Sequence, residues 1–365
     1  MKVYWRKTMG TKLKDMASVE MILNEMSLVE KASLVIGGSP MSSMAMEKYG
    51  IPSIWTSDCC NGLNIFQYTV EKTYRALEAA KKEKGEKFDR ESFGTMGGLL
   101  VTVNEMQKKA KEEAAAGIER QKTHDVISYP TGISQASTWN PHVANICAKT
   151  VAKEFVKYGV DLILSPNINI HRDPLCGRLT ESYSEDPYLV SRIAEAVVCG
   201  LQDEGVIADP KHFAANSQEK DRLKINEKIP MRALREIYLK NFEYCVKEGH
   251  PETMMTSYNK INGVWSHYNY DLVTTVLRKE WGYDGMIVTD WWMQKDNSHE
   301  FPALKNNAYR TRAQVDVLMP GNMSAVKRKY AFDKEQIETL GQPEGLTRAE
   351  LQRSAKNVLR YCMTR

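Results

Sequence analysis

From Tyr129 onward the chain alternates short apolar runs with amphipathic stretches, and this rhythm limits the possible folds more than any other feature. A helical pattern around Asn145 to Tyr158 leads into an extended run, Asp161 to Ser165. Helix Tyr188 to Glu204, strand Val206 to Phe213 and helix Met231 to Lys247 follow. Strand Thr253 to Tyr258, helix Leu272 to Trp281 and strand Met286 to Asp290 continue the series. Repeated strand-helix units of this length predict a parallel sheet, either closed into a barrel or doubly wound. Upstream, Ser27 and Glu30 have the spacing of a capping box, and Leu28, Ala32 and Val35 carry an apolar face that Gly37-Gly38 ends. Ile51 to Asp58 is a further short strand, and Arg348 to Tyr361 reads as the closing helix.

The strands share a second property: each ends on polar side chains. These are Asp58, then Asn167 and Asn169, Lys211 and His212, Ser257 and Tyr258, and Asp290. In a barrel of parallel strands such ends meet at one mouth, where active sites are built. The run Gly285-Met286-Ile287-Val288-Thr289-Asp290-Trp291-Trp292 shows this best, an apolar strand stopping on a carboxylate and two indoles. Asp290 is suited to nucleophilic or acid/base work, and Trp291 offers a flat face for a sugar or another ring. The same residues would also serve as a helix N-cap with core tryptophans.

With 365 residues and 42% hydrophobic content the chain can bury one large core. The balance of 50 Lys and Arg against 46 Asp and Glu, without a basic tract interleaved with aromatics, gives no sign of a nucleic-acid partner. Seven cysteines form neither a CxxC pair nor a spaced Cys/His set, so reduced thiols in a cytoplasmic protein are expected. Neither a signal peptide nor a membrane span is visible, and no metal or organic cofactor is suggested. Residues 66–124 differ in character, with dense Lys and Glu, a weak helical pattern from Tyr74 to Lys84 and glycines at 94, 97 and 98. They read as a surface-exposed insertion. In the loop 171–187, Arg178 could fork onto two hydroxyls or a carboxylate, or simply pair with Glu181 or Glu185, while Glu185 and Asp186 stand where they could cap a helix starting at Pro187.

Several linked motifs resemble the barrel domain of glycoside hydrolase family 3, in particular its β-glucosidase branch. They are Gly177-Arg178 to Ser184-Glu185-Asp186-Pro187, Lys211-His212-Phe213-Ala214-Ala215-Asn216 with Glu219 and Arg222, Met255 to Tyr258-Asn259 with Asn262-Gly263, and Gly285 to Asp290-Trp291. Ser27 to Lys31 and Asp316 to Gly321 extend the likeness to nearly the whole chain outside the insertion. The resemblance implies a (β/α)8 TIM-like barrel, one catalytic domain over residues 1–365 that carries the charged helical insertion. It implies retaining, exo-acting hydrolysis of a β-linked sugar, with Asp290 as the nucleophile of a covalent glycosyl intermediate. Asp58, Arg178, Lys211, His212 and Tyr258 fall where the family binds the terminal sugar or orients the nucleophile. Arg222 could reach the same pocket or pair with Glu219 or Asp221. The cations are expected to lower the pKa of Asp290, and Tyr258 to donate to its carboxylate.

Three departures accompany the likeness. Where the family has Asp-Gly-Pro before Gly-Leu and then Arg, this chain reads Asp58-Cys59-Cys60-Asn61-Gly62-Leu63-Asn64, with altered turn chemistry. The residue before Asp290 is Thr289 in place of the usual Ser. The β-glucosidase branch takes its acid/base glutamate from an α/β sandwich domain after the barrel, which is expected to be absent here, and the loop after Lys211-His212-Phe213 lacks the second His of the compact N-acetylglucosaminidase branch. The acid/base is therefore unidentified: Glu83, Glu86 or Glu91 in the insertion, a glutamate on a partner chain, or none. A homo-oligomer or a companion chain carrying the second domain is expected. The alternatives to a β-glucosidase-like hydrolase are a catalytically incomplete sugar-binding barrel and a β-glycoside phosphorylase.

Overall fold

A computed structural model describes residues 11–58, 61–86, 126–320 and 336–363, together with Lys108, Lys111, Glu112 and Ala115. Nine short strands occur among them: β1 (Thr56–Asp58), β2 (Leu162–Leu164), β3 (Ile207–Ala208), β4 (Asn226–Glu227), β5 (Thr253–Met255), β6 (Lys260–Ile261), β7 (Val264–Trp265), β8 (Met286–Trp291) and β9 (Val317–Met319). β1, β2 and β3 pair in parallel, as do β5, β8 and β9. The parallel bridge Asn167↔Lys211 prolongs the β2–β3 pair, Phe213↔Thr256 joins the two sets, and Ile36↔Leu318 extends them beyond β9. The result is a barrel-like arc of parallel strands. β4, β6 and β7 form a small separate sheet beside the loops.

The expected eight-fold closure is not seen among these residues. After Gly37 the chain turns back at once, Gly38 N donating to Ser42 O, and residues 41–43 run antiparallel to 54–56. A strand-helix unit at that point is thus replaced by a tight return. Gly38 permits it, because a Cβ there would stand 2.7 Å from Ser43 O.

Side chains alternate along the strands as the period of two demands. Ile163, Ala208, Met254 and Ile287 join one buried cluster with the helices Pro141–Tyr158 and Pro187–Asp203. Leu162, Leu164, Ile207, Met255, Met286 and Val288 join another, with the helices Met16–Glu25 and Arg348–Met363. Both faces of the sheet are covered, the usual condition for parallel strands. The caps behave as their sequence requires: Ser27 and Glu30 close a capping box, and Asp186 accepts from Tyr188 N at 2.9 Å, whereas no cap is made by Glu185. Asp316, fully buried, accepts from Ile287 N at 2.9 Å and Arg278 Nη2 at 2.6 Å, which fixes the base of β8 and so the position of Asp290 at its far end.

The start of the expected insertion is not a free surface. Its helix runs Ile65–Glu83, earlier than the Tyr74 to Lys84 pattern, with Tyr68, Val70, Glu71 and Tyr74 buried. Tyr68 stacks on Trp55 at 5.0 Å, and Glu71 accepts from Ser39 and from Met41 N. Glu154 gathers the N–H groups of Leu63 and Ile127, so it draws the two roots of the segment together. Glu91, Gly94, Gly97 and Gly98 lie outside the described residues, as do Cys59, Cys60 and Gly321.

One buried carboxyl lies inside the arc. Asp209, fully buried after β3, has its pKa pushed up to about 7 by burial, which the Thr253 hydroxyl and Lys211 only partly offset. Below an unfolded value near 3.8 both states hold the proton and the group is neutral in its effect. Between that value and about 7 the unfolded chain ionises while the folded one does not, so folding is progressively disfavoured as pH rises, by up to roughly 4 kcal/mol. Asp209→Asn is therefore expected to raise Tm, by a margin that grows as pH increases from acid to neutral in calorimetric scans. An identical shift at both ends of that range would contradict the placement of this carboxyl.

Candidate active site

Because the strands are parallel, their C-terminal ends open into one cavity of about 300 Å³. It is lined by Asp58 from β1, Lys211 and His212 beyond β3, Tyr258 beyond β5, and Asp290 and Trp291 from β8. Arg178 and Arg222 reach it from loops. These eight candidate site residues thus meet in one place, whereas the strand-end residues Asn167, Asn169 and Ser257 do not line the cavity.

Asp290 is 7% exposed. Trp291 N donates to its Oδ1 at 2.7 Å, and Oδ2 stands 3.6 Å from His212 Nε2 and 3.8 Å from Arg222 Nη2. Tyr258 lines the same cavity, and burial together with the negative charge of Asp290 pushes the phenol pKa up, so Tyr258 stays protonated and has a proton to donate. The expectation that cations lower the pKa of Asp290 is corrected: burial pushes it up to about 6, and the Trp291 amide, Lys211, Arg222 and Arg178 recover only part of the shift. Desolvation outweighs charge because none of these cations makes a close ion pair with the carboxylate.

His212 is neutral. Burial, then the nearby positive charges of Arg178, Lys211 and Arg222, hold its pKa well below the ordinary value. Arg178 Nη1 lies 3.3 Å from Nε2, so this nitrogen accepts, and Nδ1 carries the proton toward Asn169 Oδ1 at 3.1 Å. The His212 backbone exchanges two hydrogen bonds of 2.9 Å with the Asn169 amide, which locks the ring. The peptide bonds Lys211-His212 and Phe213-Ala214 are cis.

Both arginines line the cavity and also make ion pairs within the chain. Arg178 forks onto Glu181 at 2.9 and 2.6 Å while its third nitrogen faces His212 and Glu219. Glu185 is not its partner. Arg222 pairs with Glu219 at 3.0 Å, and its guanidinium lies 4.3 Å over the Tyr258 ring. Lys211, 4% exposed in its side chain, donates to Asp58 Oδ1 at 2.6 Å. Burial alone would push Asp58 up, but Lys211 and a hydrogen bond from Gln67 outweigh it and hold the carboxyl below its usual range.

Trp291 lines the cavity, yet it is 7% exposed and its indole is tied to Pro40 O at 2.8 Å. Trp292, 44% exposed at φ 58°, presents the freer ring, and Phe66 is 47% exposed on the same wall. Gln67 and Asn64 also line the wall and escaped the sequence reading, because a polar residue in a Lys- and Glu-rich helix carries no mark of an inward face. Among the described residues the lining carboxyls are Asp58 and Asp290. Glu83 and Glu86 are exposed at the far end of their helix, with Glu86 paired to Lys81, and neither lines the cavity.

Comparison with known proteins gives concordant results. The model of the glycosyl hydrolase family 3 N-terminal domain matches residues 101–361. A β-glucosidase of Ruminococcus albus is 34% identical over 345 residues, 93% of this chain and 36% of the relative. An exo-α-(1→6)-L-arabinopyranosidase of Bifidobacterium longum is 35% identical over 274 residues, 75% of this chain and 30% of the relative. The chain thus spans about a third of these relatives' length. Among solved structures, β-glucosidase 3B of Thermotoga neapolitana in complex with glucose aligns over 95% of this chain and 42% of that one, with a TM-score of 0.73 and 29% identity. A β-glucosidase of Paenibacillus barengoltzii aligns over 97% of this chain and 34% of that one, at 0.73 and 32%.

Proposed function

The chain belongs to glycosyl hydrolase family 3, as its N-terminal-domain region, and from that premise we propose that it is the sugar-holding, nucleophile-bearing part of a retaining, exo-acting β-glycosidase of β-glucosidase type. One observation carries the proposal: a buried carboxylate at the end of a central strand, faced by a phenol donor and three cations inside a cavity sized for a small ligand. Asp290 Oδ2 attacks the anomeric carbon as the glycosidic bond breaks, with Oδ1 held by Trp291 N. Asp58, Lys211, His212 and Arg178 hold the hydroxyls of the terminal sugar. Arg222 and Tyr258 orient the nucleophile and stabilise its charge. Water then releases the sugar with retained configuration.

The proton for a poor leaving group comes from residues beyond those that line the described cavity. The source we propose is an α/β sandwich domain of the kind that follows the barrel in the β-glucosidase branch. The scaffold is taken as a (β/α)8-derived barrel and the protein as cytoplasmic, in keeping with free thiols at Cys147, Cys176, Cys199, Cys245 and Cys362. No helix among the described residues is long and apolar enough to cross a membrane.

A substrate whose leaving group departs unprotonated isolates the nucleophile. With dinitrophenyl β-glucoside, kcat/KM is expected to rise about tenfold per pH unit up to about pH 6 and then to level, as Asp290 ionises. A profile without that acid limb, or one set by a group titrating far from it, would argue against Asp290 as the nucleophile.

A further inference from the structure

We propose that Gln67 is a specificity-determining residue, which acts with Asp58 and Lys211 as one recognition unit for two neighbouring hydroxyls of the terminal sugar. This role rests on the glycosidase function proposed above and adds to it a residue contributed by the helix Ile65–Glu83.

The geometry is reciprocal. Gln67 Nε2 donates to Asp58 Oδ2 at 2.8 Å, and Asp58 N donates back to Gln67 Oε1 at 2.7 Å. Lys211 Nζ holds the other oxygen, Oδ1, at 2.6 Å. Among the described residues each carboxylate oxygen therefore has one protein donor, which leaves it an acceptor position for a ligand. The side chain of Asp58 is 36% exposed, and the open part faces the cavity that Gln67 also lines. The Nε2 group has a second hydrogen that Asp58 does not use, so the pair can accept from one hydroxyl and donate to its neighbour.

Gln67 is itself held in place. Asn64 Oδ1 accepts from Gln67 N at 3.1 Å, and Asn64 N donates to Asp58 O at 3.2 Å, which closes the turn from β1 into the helix. The next residue, Tyr68, stacks on Trp55, and Glu71 one turn on is buried against Ser39 and Met41. A carboxylate held by Lys211 alone could swing about that contact; the amide removes the freedom. Asp58 thus receives one close cation and one neutral amide, and its acceptor directions are fixed before the sugar arrives.

The test compares dinitrophenyl β-glucoside with its 3-, 4- and 6-deoxy forms on the wild-type chain and on Gln67→Met, which keeps length and apolar bulk but offers neither hydrogen bond. In wild type, removing a hydroxyl held by this unit is expected to lower kcat/KM by about tenfold or more. In Gln67→Met that penalty is expected to shrink toward unity at one or two adjacent positions and to persist at the remaining one. Labelling of Asp290 by a 2-deoxy-2-fluoro-β-glucoside, which keeps these hydroxyls, should slow by a similar factor in Gln67→Met and still map to Asp290. Equal penalties in both proteins, with only a uniform loss of rate, would reduce Gln67 to packing and overturn the proposal. A wild-type chain that is not labelled at all would remove the glycosidase function itself, and this is read before any variant is made.

Discussion

Asp290→Gly is expected to abolish turnover of dinitrophenyl β-glucoside, with kcat/KM falling by on the order of 10⁴-fold, equivalent to about 5.5 kcal/mol. The size follows from chemistry rather than from binding. Without the carboxylate no covalent intermediate forms, and the surrounding cations have no anion to present to the anomeric carbon. The space left by the side chain supplies the check. Azide or formate admitted to it should restore turnover and give the α-configured adduct, since the external nucleophile attacks from the face Asp290 occupied. Retained configuration in the rescued product, or wild-type rates without rescue, would place the nucleophile elsewhere. Loss of stability should not be the cause: Oδ2 stands 3.6 and 3.8 Å from His212 and Arg222, and a carboxyl raised to about 6 by burial disfavours folding at neutral pH, so its removal relieves that cost.

Lys211→Met is expected to have the next largest effect, on the order of 10²- to 10³-fold in kcat/KM for the same substrate. The side chain is 4% exposed and donates to Asp58 at 2.6 Å, so its loss strips the main hydrogen-bonded charge that, with Gln67 and Arg178, keeps this carboxylate below the ordinary range. Asp58 then shifts upward and becomes a poorer acceptor. Most of the loss should appear in KM and in the binding of glucose as a competitive inhibitor, because in the proposed function the lysine holds sugar while Asp290 makes the bond. A fall confined to kcat, with glucose binding unchanged, would mean that Lys211 acts on the nucleophile and not on the sugar.

The site was largely legible in the sequence because parallel strands place their last residues together, whatever the details of closure. Asp58, Lys211, His212, Tyr258 and Asp290 are all strand-end residues, and all five line the cavity. What the sequence hid has physical reasons. The chain reverses at Gly38, where a Cβ would stand 2.7 Å from Ser43 O, and no periodicity records that return. Gln67 stands in a stretch whose Lys and Glu content suggested solvent, but Tyr68, Val70, Glu71 and Tyr74 give the helix a buried face. The direction of the Asp290 shift was misjudged because cations can be counted in a sequence while desolvation cannot. Asp209 did carry a signal, a charged residue directly after the apolar pair Ile207-Ala208 of a strand buried on both faces.

The most direct test of the central claim is intact mass and peptide mapping after incubation with a 2-deoxy-2-fluoro-β-glucoside carrying a dinitrophenolate leaving group. That leaving group needs no acid, so the result depends on the nucleophile and the sugar pocket alone. One fluoroglucosyl group per chain, mapped to Asp290, is the expected result. An unlabelled chain that still binds glucose, or a label on another residue, would contradict the assignment of Asp290 as a retaining nucleophile.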